Sequence, residues 1–120
     1  MDYAIRYGTM TDRTALAKAA RTTWLRRGYY GLSFFTRPGL SPLDIAREIA
    51  PMTRITKGKL RAARVAELIA AGFEIADERD DGHFNLRFPG DPDDATWSLL
   101  DGLMADPEDF AFGAEEGTRQ

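Results

Sequence analysis

The chain has 120 residues, 43% of them hydrophobic and 29% charged, the size and composition of one globular domain that builds its own core. It has no cysteine, which excludes a disulfide framework, a thiolate nucleophile and cysteine-ligated zinc, and no apolar run approaches the ~20 residues that span a bilayer. The net charge of −3 conceals a split: residues 1–64 carry 13 Lys and Arg against 4 Asp and Glu (+9), and residues 65–120 carry 3 against 15 (−12), which predicts a basic face for an anionic partner or two segments that neutralise each other.

Taken in order, Tyr3–Tyr7 reads as a short strand closed by Gly8. Thr11 or Asp12 can cap a helix running to Arg27, with Leu16, Ala19, Ala20 and Trp24 on its apolar side and Gly28 as its stop. Residues 29–36 are rich in aromatic β-formers at both parities, which predicts a strand buried on both faces. Ser41-Pro42-Leu43-Asp44 supplies a cap, a first-turn proline and a first-turn carboxylate for a helix ending near Ala50, before Pro51. Met52–Thr56 reads as a short strand or turn, and Lys57–Ala71 as a helix stopped by Gly72.

Phe73 to Phe88 alternates as a β-hairpin around Asp80-Asp81-Gly82. A two-residue loop sets His83 opposite Asp80, and a four-residue loop sets it opposite Glu78, so His83 faces a carboxylate in both registers. Asp91-Pro92 opens a last helix with Leu99, Leu100, Leu103 and Met104 on its stripe. The expected architecture is a single α+β domain over 1–106, in the order β-α-β-α-(short β)-α-β-β-α. Residues 107–120 read as an acidic, mobile C-terminal tail.

The strongest functional signal is the basic cluster Arg54, Lys57, Lys59, Arg61 and Arg64. On a helix, Lys57, Arg61 and Arg64 share one face. Cations in a first turn oppose the helix dipole unless an anion sits among them, as a phosphate would. His83 with Glu78 forms a candidate acid–base pair. Tyr29, Tyr30, Phe34 and Phe35 are residues that stack bases in some RNA-binding sheets, though core packing is the default for so apolar a strand. The carboxylates Glu74, Asp77, Glu78, Asp80 and Asp81 match no metal-loop spacing and read as a solvated edge. No phosphate-binding loop, dinucleotide fingerprint or Ser-His-Asp order occurs, so no cofactor and no metal are expected.

Leu43-Asp-Ile-Ala-Arg-Glu-Ile49, then Lys59–Ile69 running through Ala70-Ala-Gly-Phe73 into the hairpin, resembles a winged helix-turn-helix. That resemblance implies a recognition helix entering the major groove. The leading expectation is a small bacterial-type nucleic-acid-associated protein that binds phosphates through Arg54, Lys57, Lys59, Arg61 and Arg64, working as a homodimer or with a partner chain. The alternatives are a compact toxin-like enzyme acting on RNA through His83 and Glu78, and a non-catalytic protein-interaction module. A cytoplasmic setting without membrane contact is expected, since MDYAIRYGTM lacks the layout of a secretory signal.

Overall fold

In the computed structural model, which describes residues 2–112, the chain runs β1 (Tyr3–Tyr7), α1 (Arg13–Arg27), β2 (Gly31–Thr36), α2 (Pro42–Thr53), β3 (Lys57–Arg64), α3 (Val65–Ala70), β4 (Glu74–Ala76), β5 (His83–Arg87), α4 (Asp94–Leu103) and β6 (Glu108–Ala111). The strands make one antiparallel sheet in the order β4-β5-β2-β1-β3-β6. This is the expected α+β class and order, with one additional strand at its end. No helix among the described residues is long and apolar enough to cross a membrane.

Local chemistry sets most helix ends. Asp12 accepts the Ala15 amide at the start of α1, and Gly28 closes that helix at φ 83°. Ser41 accepts the Asp44 amide at the start of α2, with Pro42 in the first turn. The cap of α4 is Asp93, which accepts the Thr96 amide, rather than Asp91. Pro51 does not end α2, which continues to Thr53 and closes at Arg54. A proline in the last turn forfeits only one backbone donor on an exposed surface, which the helix tolerates. Consequently no short strand forms at 52–56.

Strand alternation divides the sheet into two faces. On one, Ala4, Leu32, Phe34, Phe84 and Leu86 pack beneath Leu16 and Ala20 of α1, Leu68 of α3, and Trp97 and Leu100 of α4. On the other, Ile5, Leu60, Ala62 and Phe110 pack beneath Ile45, Ala46 and Ile49 of α2. That second face is covered by α2 over β1, β3 and β6. On its β2–β5 half Ser33 and Arg87 are exposed, Phe35 and His83 are half-buried and Asn85 is buried, with Phe35 packed against the edge of the same cluster. The strand at 31–36 is therefore buried fully on one face, not on both.

Residues 57–71 are not one helix. Lys57–Arg64 is a strand and only Val65–Ala70 is helical. Lys, Arg, Leu and Ala favour helix locally. Yet four successive residues, Leu60 to Ala63, are buried, which a helix with one apolar stripe cannot do and a strand covered on both sides can. The stretch pairs with β1 at every position from Tyr3↔Arg64 to Tyr7↔Leu60. The winged-helix resemblance falls with this, since the residues matched to a recognition helix are mostly a strand inside the sheet.

The acidic end also joins the fold. Residues 108–111 pair with β3, and Phe110 and Phe112 are buried against the α2 side. Two buried aromatics and a backbone ladder outweigh the local excess of carboxylates. The expected tail beginning at 107 is thus corrected as far as Phe112; residues 113–120 lie outside the described residues.

Candidate nucleic-acid interface

The five basic residues singled out by spacing do not form one face. Arg61 is 6% exposed, and its guanidinium donates to the carbonyls of Ala105, Thr9, Asp101 and Met104 and to the Asp101 carboxylate at 2.7 Å. It is an internal clamp joining β3 to the end of α4 and to the loop after β1. Lys59 is paired with Asp109 of β6 at 2.7 Å. Arg64 lies over the Tyr3 ring, 6.0 Å from its centroid. Arg54 and Lys57 are exposed, flanking the turn between α2 and β3. On a strand, Lys57, Lys59 and Arg61 point to one side of the sheet and Arg64 to the other, so the helix-face argument does not apply to them.

A denser basic surface lies on α1. The helix reads RTALAKAARTTWLRR, with five cations and no carboxylate in 15 residues. Arg13 is taken by Asp94 at 3.1 Å. Lys18, Arg21, Arg26 and Arg27 are exposed and form no ion pair among the described residues. Only Leu16 and Ala20 of this helix are buried, so its inner side is narrow and its outward arc wide. Lys18 and Arg21 are three apart and stand together on that arc, Arg26 lies beyond them, and Arg27 ends the helix. Arg21 also covers the Trp24 ring at 6.0 Å, and that ring stacks on Tyr30 at 5.8 Å. The absence of acids between residues 13 and 27 is legible in the sequence, but periodicity drew attention to the apolar side instead.

The hairpin places the other candidate residues. Glu74↔Arg87 and Ala76↔Asn85 set the register that would continue to Glu78 opposite His83. The ladder stops at Ala76 because Asp77 turns to φ 49°. Glu78 is exposed and makes no hydrogen bond to His83, so the acid–base pair is not assembled. The imidazole instead sets its edge against Phe35, with centroids 5.3 Å apart at 71°, and its buried Nδ1 has no hydrogen-bond partner among the described residues. The nearest acidic contact is through the backbone: the His83 amide donates to the Asp81 carboxylate at 3.0 Å.

On the same half-face the Tyr29 hydroxyl donates to Asp77 and accepts from the Asn85 amide at 3.0 Å. Asn85 is 8% exposed, so this contact satisfies a polar side chain that would otherwise be buried without a partner. Burial and the hydrogen bond to Asp77 hold the Tyr29 phenol above its ordinary value, and it stays protonated at neutral pH. Phe34 is wholly core, while Tyr29, Tyr30 and Phe35 are half-buried, so the aromatic residues do not share an open stacking platform. Among the described residues no group of three His, Asp or Glu is placed to hold a metal ion.

Burial, reinforced by Arg79, lowers the His83 imidazole below its ordinary 6.5. The fold therefore binds this proton less tightly than the unfolded chain does. Stability contributed by neutral His83 is intact above pH 6.5 and declines as pH falls through the window beneath it. Urea-denaturation midpoints across that window should fall more steeply for the parent than for His83→Gln. A parent midpoint that rises there, relative to the variant, would mean a carboxylate raises the imidazole instead.

Set against known proteins, the chain matches no family model, no curated protein and no solved structure.

Proposed function

We propose that the protein binds the phosphate backbone of a nucleic acid through the outward side of α1, with Lys18, Arg21 and Arg26 as the contacts and Arg27 in support. The observation that carries this reading is a helix with no carboxylate whose cations, Arg13 excepted, have no ionic partner among the described residues. Arg26 and Arg27 sit in the last turn, where the helix dipole favours cations in any protein. Lys18 and Arg21 lie in the middle of the helix and gain nothing from that effect. From Lys18 to Arg27 the helix rises ~14 Å, a length over which a duplex presents several phosphates. Arg54 and Lys57, exposed beyond α2, are available for a second contact. The catalytic alternative has less support, because His83 and Glu78 are not joined.

Three to four such contacts imply a slope of about −3 for log affinity against log salt on duplex DNA. Fluorescence anisotropy across a salt series, with labelled duplex DNA, single-stranded DNA and RNA, measures it. Lys18→Glu/Arg21→Glu/Arg26→Glu is expected to remove the salt-dependent binding, whereas Lys59→Gln should leave it nearly intact. Binding that survives the triple reversal, or that is missing in the parent even at low salt, would sink the proposal.

A further inference from the structure

We propose that the groove between the start of α1 and α4 binds a small organic oxyanion, its charge against Arg6 and its apolar body against Met10, Leu16 and Leu100. Two adjoining cavities of about 340 and 220 Å³ share Met10, Thr11 and Leu16. Trp97, Leu100 and Asp101 line the larger, and Arg6, Thr9 and Asp12 the smaller. Together they offer the volume of a small-molecule site, part apolar and part polar.

Charge identifies the ligand class. Arg6 of β1 stands directly opposite Arg61 of β3, which sets two cationic side chains on one sheet face with Cβ atoms ~5 Å apart. Arg61 is compensated by the Asp101 carboxylate and four carbonyls. Among the described residues Arg6 has one hydrogen bond, from Nη1 to the Ser33 carbonyl at 3.0 Å, and no carboxylate partner. It is half-buried, and that burial lowers its pKa.

Both nearby acids make other contacts. Asp12 accepts the Ala15 amide and Asp101 is held by Arg61. A half-buried guanidinium lining a cavity without an ionic partner is placed to take an anion there, and its fork matches a carboxylate or phosphate. The hydroxyls of Thr9 and Thr11, 2.8 Å apart at the mouth of the cavity, add neutral donors. This site is separate from the outward arc of α1, so it does not depend on the nucleic-acid reading.

The test is an NMR titration of isotope-labelled protein with phenyl phosphate, benzoate and the neutral benzyl alcohol. The two anions should shift the Met10 methyl and the Arg6 guanidinium signals saturably, with benzyl alcohol at least ~10-fold weaker. Arg6→Gln should weaken the anions roughly 10- to 100-fold, and Lys18→Glu/Arg21→Glu/Arg26→Glu should leave them unchanged. Ala15→Trp, which fills the mouth from an exposed position, gives a second route to the same loss should Arg6→Gln fold poorly. The proposal is overturned if neither anion saturates by ~10 mM, if benzyl alcohol binds equally well, or if Ala15→Trp binds like the parent.

Discussion

Arg61→Ala is expected to cost about 3–5 kcal/mol of folding stability, because several enclosed carbonyls lose a charged donor at once, although the Asp101 carboxylate itself is 64% exposed. The loss comes from the groups left behind more than from the missing cation. The carbonyls of Thr9, Asp101, Met104 and Ala105 all accept from this guanidinium, and an enclosed acceptor stripped of its donor costs roughly 1–3 kcal/mol. Arg61 also ties together segments distant in sequence, so its removal loosens the end of α4 from the sheet. For a domain of this size the melting temperature should fall by roughly 10–20 °C.

Arg61→Lys should recover little of this, because an ammonium carries three donors on a flexible stem and cannot span carbonyls arranged for a planar fork. Thermal and urea denaturation of both variants measure it. A loss below ~1 kcal/mol, the level of an exposed ion pair, would show Arg61 to be an ordinary surface cation and restore it as a candidate contact for phosphate.

The second large effect is expected at Gly82, where Ala should cost about 3–4 kcal/mol through two separable causes. Gly82 has φ +88°, a conformation that L side chains rarely adopt, costing ~1–2 kcal/mol for alanine. A Cβ there would also collide with the Thr36 carbonyl oxygen and the Arg37 guanidinium. The side chain of Arg37 can move; the Thr36 backbone cannot without disturbing β2, whose Thr36 amide donates to the Gly82 carbonyl at 3.0 Å. The hairpin tip would lift away from the sheet, taking His83 off Phe35. Gly8→Ala serves as the comparison: its φ is +93° but nothing stands within 4 Å of the added carbon. It should lose only the conformational share. Equal losses at the two sites, read from urea midpoints, would mean that the contact with Thr36 contributes nothing.

Much of the fold is written locally. Asp12, Gly28, Ser41 and Pro42 mark helix boundaries because caps and left-handed turns depend on the residue itself and its near neighbours. The hairpin alternation was readable for the same reason; of the two registers the sequence left open, pairing selected the one that sets Glu74 opposite Arg87. The candidate interface was half legible: the excess of positive charge in residues 1–64 is plain from counting, but which cations are free is not. Arg61 and Lys59 look like members of a basic cluster until β6 brings Asp109 beside one, and α4 brings Asp101 and three carbonyls to the other.

What tertiary structure alone decided is the state of residues 57–64 and of 107–112. Both contradict their local tendencies, one favouring helix and the other solvation. They settle as neighbouring strands because β1 offers a full ladder to β3, β3 then offers its free edge to β6, and α2 covers Leu60, Ala62, Phe110 and Phe112 together. The sequence by itself determined the class, the caps at Asp12, Gly28 and Ser41, and the charge asymmetry. Pairing between segments some fifty residues apart decided which charges are internal and which face outward, since a residue's burial depends on partners that no local window contains.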